Sequence, residues 1–327
     1  MTSQTLLAKE QPFDDSAILH IAYPDWFKTS FLDLQSDLEE ARANHKDGLM
    51  LLFTTDGCSY CDRFIQVSLG NPELATRVRA RYDSIGLEIF DDSEMTAPDG
   101  AQTVVKHFAK GLGAAFSPTL VFLGLDGEVL LRRVGYQSPQ KFEQILNYLS
   151  EDNQTLSFRD YLLKQEVSQV KDYVLRDDPL FARQPYMLDR SRLPAGKPLI
   201  VLFEKNGCAE CAQLHDVVLA DQKVRQTLEA FEVVRLDMDD NQTPMVRPDG
   251  QRDTPSAWFD QAGLLQTPAM LFFDEHGNEV LRTDALVLNQ RMMNSLNFVI
   301  EQAYMKGWTY QRFARSKGAE KLQKQQQ

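Results

Sequence analysis

The sequence predicts an α/β protein built from two tandem copies of one unit, each a mixed central sheet with helices on both faces. Three observations carry this. The chain repeats itself, so that Cys58 and Cys61 fall on Cys208 and Cys211 at an offset of 150 residues. Each copy alternates strand-like apolar runs with helix-like periodicity. All four cysteines sit in two pairs, Cys58-Ser59-Tyr60-Cys61 and Cys208-Ala209-Glu210-Cys211. The length of 327 residues agrees, because a domain usually takes about 150 residues.

The same offset carries Leu52-Phe53 onto Leu202-Phe203, Gly57 onto Gly207, and Pro98-Asp99-Gly100 onto Pro248-Asp249-Gly250. Pro118 falls on Pro268, and Phe122, Gly127, Leu131 and Arg132 fall on Phe272, Gly277, Leu281 and Arg282. A period this long marks duplicated domains, not a solenoid. The spans that follow are residues 1–165 for the first unit, 166–198 for a joint and 199–327 for the second.

Taken in order, Ser30-x-x-Asp33 resembles a capping box, with Phe31, Leu34, Leu38 and Ala41 as the stripe of the helix it opens. Continuous apolar runs at 49–53 and 199–203 read as strands covered on both faces. Gly57 and Gly207 punctuate a turn, and each cysteine pair then opens a helix. Its buried side is marked by Phe64, Val67 and Leu69, then by Leu214, Val217 and Leu219. Helices at 73–81 and 222–230 lead to strands at 85–90 and 231–238. Those strands end in Asp91-Asp92 and Asp239-Asp240, where turn chemistry is a better reading than metal binding. After a polar loop and a further helix come strands 119–123 and 129–132 about Asp126-Gly127. Their counterparts are 269–273 and 279–282 about His276-Gly277. Closing helices are expected at 140–148 and 289–304. Ser157-Phe158…Tyr161 echoes Thr309-Tyr310…Phe313 beyond them. The joint holds Pro179, Pro185, Pro194 and Pro198.

Composition excludes several classes. Hydrophobic content of 43% and charged content of 25% are ordinary for a chain that buries real cores, so disorder and a collagen-like fibre are out. No apolar run approaches the ~18 residues of a membrane helix. A net charge of −12 gives no footprint for nucleic acid or anionic lipid. The basic stretch Arg312, Arg315, Lys317, Lys321 and Lys324 reads as a solvated helix end. The first 23 residues lack the charged, apolar and small-residue pattern of a secretory signal. That fits a cytoplasmic protein, or a mature form whose signal has been removed.

Two cysteines three apart at a helix start share a face, close enough for a disulfide. The first lies beside unpaired N–H groups and the positive end of the helix dipole, which lower its pKa. Cys58 and Cys208 are therefore the candidate nucleophiles. Cys61 and Cys211, one turn deeper, can resolve the mixed disulfide. Pro118 and Pro268 each open an apolar strand behind Ser117 or Thr267. X–Pro bonds are the ones readily cis. A cis bond there would turn the backbone of residue 117 or 267 toward the sulfurs, to pair with an extended substrate segment.

Strand, Gly-Cys-x-x-Cys, helix, then (Ser/Thr)-Pro, apolar strand and Gly turn resembles the thioredoxin fold, twice over. More narrowly, Tyr23-Pro24-Asp25-Trp26-Phe27…Phe31-Leu32-Asp33-Leu34, Asp56-Gly57-Cys58…Cys61-Asp62 and Val134-Gly135-Tyr136 resemble thioredoxin-like proteins of the sulfur-oxidation (Sox) type. That resemblance implies a periplasmic protein acting on the disulfides of partner proteins. It also implies an electron-donor or acceptor protein, and no cofactor beyond the redox-active cysteines. Neither site has the Trp-Cys-Gly-Pro-Cys of thioredoxin. Thioredoxin's buried Asp, six residues before the first Cys, is replaced by Leu52 and Leu202. A dry pocket without a base slows deprotonation of Cys61 and Cys211 unless water or another carboxylate serves. This argues against ordinary recycling by thioredoxin reductase.

The two centres differ in their intervening residues. Tyr60 is aromatic and uncharged, whereas Glu210 places a negative charge near Cys208 that opposes the dipole and favours the thiol. The two disulfides are thus expected at different potentials. A zinc site is disfavoured, because a Cys₄ ribbon needs pairs about 15–20 residues apart. No histidine shows metal spacing. His215, four after Cys211, is read as surface or packing. The sequence therefore points to a thiol:disulfide oxidoreductase, reductant- or isomerase-like. The competing class is a non-catalytic client-binding or scaffold protein on the same fold.

Overall fold

Two runs of apolar residues organise two sheets in the computed structural model, which describes residues 13–17, 19–114, 116–150, 156–166 and 173–325. In the first copy, α1 (Leu34–Ala43) buries Leu34, Leu38 and Ala41. Its N-cap is Asp33, which accepts the Ser36 N–H at 3.1 Å. Ser30 lies outside the helix, accepting from the Leu32 N–H and donating to Asp37. The expected capping box thus begins three residues too early, and Phe31, expected on the stripe, is 98% exposed. Leu32 takes φ +62°, and that left-handed step separates Phe31 from the helix.

Strand β1 (Gly48–Thr54) is buried at every position. Helix α2 (Ser59–Arg63) runs into a π-helical turn, Phe64–Ser68. Then come α3 (Pro72–Arg81), β2 (Tyr82–Glu88), a small hairpin of β3 (Glu94–Thr96) and β4 (Gln102–Val104), and α4 (Val105–Gly111). Strands β5 (Thr119–Gly124) and β6 (Val129–Val134) precede α5 (Pro139–Ser150) and α6 (Phe158–Glu166). The sheet order is β2-β1-β5-β6, with β1 parallel to β2 and antiparallel to β5. Successive β1 side chains serve opposite faces, as strand geometry demands. Leu49, Leu51 and Phe53 pack with α1 and α4, while Met50 and Leu52 pack with Phe64, Leu74, Val78 and Phe142.

The second copy repeats the plan in β7 (Leu199–Glu204), α7 (Ala209–Gln213) with its π-helical turn Leu214–Val218, α8 (Gln222–Leu228) and β8 (Glu232–Asp237). It continues through β9 (Met245–Val246), β10 (Arg252–Asp253), α9 (Pro255–Gln261), β11 (Ala269–Phe273) and β12 (Glu279–Thr283). Its sheet order is β12-β11-β7-β8, again mixed. Helix α10 (Asn289–Ile300) stops four residues before the expected end. Gln302 takes φ +49° there, and a 3₁₀ turn, Ala303–Lys306, redirects the chain into α11 (Tyr310–Gln325). The hairpins β3/β4 and β9/β10 were not foreseen, being two or three residues per strand.

Of the span read as a joint, 167–172 lie outside the described residues. From 173 onward the chain lies along the second copy, where Phe181 bridges Val233 of β8 and Met187 bridges Val246 of the β9/β10 hairpin. The first copy has the matching contact, Asp33 with Thr96. Likewise the Gly57 N–H donates to the Leu19 carbonyl, and the Gly207 N–H to that of Tyr173. These upstream pairs are 154 residues apart rather than 150, which hides them from a fixed-offset comparison. Among the described residues, no helix replaces α1 in this copy. Buried Arg190 occupies that side instead, donating to the carbonyls of Lys197 and Asp274 and to Glu232.

Candidate active site

Each cysteine pair begins where a fully buried strand turns into a helix. Cys58 caps α2, its Sγ accepting the Cys61 N–H at 3.1 Å, and Cys208 caps α7, accepting the Cys211 N–H at 3.0 Å. Both pairs are joined as disulfides, with Cα atoms 5.3 and 5.2 Å apart. Cys58 and Cys208 keep 7% and 6% of their surface exposed, while Cys61 and Cys211 keep none. The outer sulfur can be reached and the inner one cannot, which suits the assigned order of attack and resolution. The Ser117–Pro118 and Thr267–Pro268 peptide bonds are cis. Ser117 and Thr267 are both buried, and Ser117 shares a cavity wall with Cys58.

The intervening residues meet the opposite copy. Tyr60 is 3% exposed. Its hydroxyl donates to Asp15 at 2.8 Å and accepts the Leu288 N–H at 2.7 Å, just before α10. Burial pushes its pKa well above the ordinary tyrosine value. The Arg291 guanidinium lies 3.6 Å from the centre of the Tyr60 ring and donates to the Ser117 carbonyl at 2.7 Å. Glu210 is paired with Lys141 of α5 at 2.6 Å, and Lys141 also reaches Gln266 at 3.2 Å. Lys141 and Arg291 are themselves 150 residues apart. Each copy therefore sends the cation near the start of its closing helix onto the second intervening residue of the other copy's cysteine motif.

That reciprocity changes the reading of Glu210. Its charge does not act on Cys208 unopposed, because the Lys141 ammonium offsets it. Gly135, at φ +83°, approaches its counterpart so closely that a Cβ would lie 2.6 Å from the Ala285 Cβ. The two copies thus meet about a pseudo-two-fold, matching residue against matching residue. A continuous apolar cluster includes Cys58, Tyr60, Cys61 and Phe116 of the first copy with Val287, Leu288 and Met292 of the second.

The second copy does hold a buried carboxylate, linked to its cysteine pair through Tyr173. Glu204, at the end of β7, is fully buried. It accepts from His215 Nε2 at 3.0 and 3.2 Å and from the Tyr173 hydroxyl at 3.2 Å. Tyr173 packs against Cys208 and Cys211. Burial, reinforced by Glu204, raises the Tyr173 pKa above the ordinary range. His215 is therefore a buried partner of a carboxylate, not a surface residue. The cause is the π turn, in which Leu219 N–H bonds the Leu214 carbonyl. One extra residue per turn rotates His215 and Val218 inward and leaves Val217 half-buried. In the first copy Thr54 and Ile65 stand at those two places.

Sequence reasoning missed Asp15, Lys141, Glu204 and Arg291. The aligned cations 141 and 291 were a readable signal; Asp15 had none, since its partners lie 275 and 276 residues away, and Glu204 had none because the π turn, not ordinary helical spacing, turns His215 inward. The basic C-terminal stretch is also more than a solvated end. Tyr310 and Phe313 of α11 are buried, and Arg315, Lys317 and Lys321 line the cavity at Cys58. Asp91 and Asp240 accept nearby backbone N–H groups in strand-end turns. Among the described residues, no group of three or more His, Cys, Asp or Glu is placed to hold a metal ion. No described helix is long and apolar enough to cross a membrane.

Among solved structures, a thioredoxin-fold protein from Helicobacter pylori is 13% identical, covering 44% of this chain and 92% of its own, with a TM-score of 0.37. The reduced DsbD C-terminal domain of Neisseria meningitidis is 16% identical over 33% of this chain and 84% of its own, at 0.25. A disulphide isomerase from Xylella fastidiosa Temecula1 is 14% identical over 46% and 99%, at 0.25. No curated protein matches the chain. The narrower Sox-type resemblance finds no support in these comparisons. The thioredoxin-like domain family matches residues 34–150 and again 192–300. With that double match on two mixed sheets, each bearing a Cys-x-x-Cys disulfide, the chain belongs to the thioredoxin-like domain family and carries it in two copies.

Proposed function

We propose that this protein is a thiol:disulfide oxidoreductase with two exchange centres. The observation that carries the reading is the duplicated disulfide, with each outer sulfur at a helix start and each inner sulfur sealed beneath it. A thiolate formed at Cys58 or Cys208 attacks a client disulfide. Cys61 or Cys211 then displaces the reduced client and closes the motif disulfide again. Protein clients meet the Cys208 centre, where Ala209 is exposed, and Thr267-Pro268 aligns their backbone. The Cys58 centre has Ser59, Tyr60 and Ser117 buried beneath the second copy. The dithiols themselves are the redox group, and a separate thiol partner restores them. The Sox-type resemblance implies a periplasmic setting, which cell fractionation tests.

Insulin reduction driven by dithiothreitol is the direct test. The wild type should accelerate it, loss of Cys208 and Cys211 should remove most of the added rate, and loss of all four cysteines should remove the rest. Absence of any cysteine-dependent rate would leave a non-catalytic client-binding protein. Cys61→Ser and Cys211→Ser variants should hold their partners as mixed disulfides for identification.

A further inference from the structure

A cavity of about 270 Å³ opens beside Cys58. The first copy contributes Cys58, Tyr60 and Ser117, and the second contributes faces of α10 and α11. The groups an extended protein segment would use are already engaged. The Ser117 carbonyl accepts from Arg291, the Ser59 hydroxyl donates to the Asp15 carbonyl at 3.2 Å, and Tyr60 is pinned between Asp15 and Leu288. The volume lies just under the usual range of small-molecule pockets, about 300–1,000 Å³.

Its charge is as telling as its size. Arg291, Arg315, Lys317 and Lys321 border it, against two carboxylates, Asp15 and Asp56. Asp15 is committed to the N–H groups of Gln290 and Arg291, each at 2.9 Å, and Asp56 faces His20 at 3.3 Å. Lys317 pairs with Glu301, and Lys321 reaches the Ser16 carbonyl at 3.3 Å. Arg315 makes no ion pair among the described residues, its guanidinium lying 5.7 Å from the Phe90 ring centre. In a chain of net charge −12, this wall is a local reversal of sign facing a nucleophilic sulfur.

We propose that the Cys58–Cys61 centre exchanges with a low-molecular-weight anionic thiol or disulfide, drawn in by the basic face of α11. The proposal rests on the thiol-exchange reading given above and supplies the chemical class of the partner at this centre. In the reductive direction a small thiolate attacks Cys58 Sγ. A mixed disulfide forms, the Cys58–Cys61 bond breaks, and Cys61 leaves as a thiolate. A second small thiolate attacks the small-molecule sulfur of the mixed disulfide, releasing Cys58. Two small thiols become one disulfide, and their two protons end on the two cysteines. The oxidative direction is the same sequence reversed.

The test uses full-length protein with Cys208→Ser and Cys211→Ser, so that only the first centre reacts. Its disulfide is reduced by glutathione, which carries two carboxylates, or by neutral 2-mercaptoethanol. Rate constants are corrected for thiolate concentration, and progress is followed by quenched alkylation and mass spectrometry. The ratio of the glutathione constant to the mercaptoethanol constant should fall about tenfold in the Arg315→Glu, Lys321→Glu variant. It should be retained with Arg315→Lys and Lys321→Arg. In the unmodified surface the ratio should fall as salt is raised, which needs no charge-reversal variant to fold. A ratio indifferent to both charge reversal and salt overturns the proposal while leaving thiol exchange intact. Failure of either thiol to reduce the disulfide, together with no cysteine-dependent insulin reduction, overturns both.

Discussion

Tyr60 and Glu210 occupy equivalent places in the two motifs, and each is answered by a cation from the other copy. Arg291 faces an aromatic ring and Lys141 faces a carboxylate, so partner chemistry follows residue chemistry. The consequence is testable at Cys208. Removing the ammonium with Lys141→Ala leaves Glu210 uncompensated, and alkylation of reduced Cys208 at neutral pH should slow about threefold. Iodoacetamide kinetics in a Cys58→Ser, Cys61→Ser background measures this. A second residue-scale effect concerns Asp178, whose carboxyl is held below its ordinary range chiefly by hydrogen bonds from Arg225. A depressed folded-state pKa contributes stability that is full above the unfolded value near pH 4 and fades as pH falls through the lower folded value. Asp178→Asn should therefore cost about 0.5–1 kcal/mol at pH 7, a figure discounted for the exposure of Arg225, and the difference should shrink below about pH 4. Urea melts across pH check both points.

At the scale of elements, the start of α10 deserves its place in the site because Asp15 serves it from across the molecule. Its carboxylate accepts the N–H groups of Gln290 and Arg291, while Leu288, the N-cap, offers no side-chain acceptor. Asp15→Ala should cost about 1 kcal/mol, as loss of a cap does, and should also expose Tyr60. Denaturant unfolding and near-ultraviolet circular dichroism report the two effects. The π turns after each motif show the limit of sequence periodicity. Phe64 and Leu214 are buried, and Leu69 and Leu219, five residues on, return to the same side through the wider turn. Val67, Val217 and His215 do not follow ordinary helical spacing, because the extra residue in the turn shifts the face. The central strands β1, β5, β7 and β11, by contrast, were legible to within a residue or so. A run buried on both faces needs no partner to be recognised, and its ends are set by Asp-Gly and Gly-Cys turns.

At the scale of the whole molecule, the pseudo-two-fold pairing decides what each centre can meet. Reversing both reciprocal cations, Lys141→Glu beside Glu210 and Arg291→Glu beside Asp15, places like charges on each other and should loosen the pairing. Small-angle scattering should show an enlarged radius of gyration, and a bulky polyethylene-glycol maleimide should react with reduced Cys58 about tenfold faster, since reaction tracks the open population. Unchanged scattering and unchanged reactivity would show that the apolar cluster alone holds the copies together. The close approach of Gly135 to Ala285 makes that a real alternative outcome, because it joins the copies without using either cation.

The sequence alone determined that the chain is a duplication, that each copy is a mixed α/β unit, and that its four cysteines fall in two Cys-x-x-Cys motifs, Cys58 with Cys61 and Cys208 with Cys211. These follow from local pattern: continuous apolar runs and helical apolar spacing, turn residues and a repeated motif, all readable without knowing what lies nearby. The intervening residues Tyr60 and Glu210 already made the centres unequal in the sequence, and only the tertiary structure decided what each one faces. Arg291 on Ser117, Lys141 on Glu210 and Asp15 on α10 are contacts between residues as much as 276 positions apart. No local pattern encodes such a pairing, because it depends on how two finished domains bury their remaining apolar surface against each other.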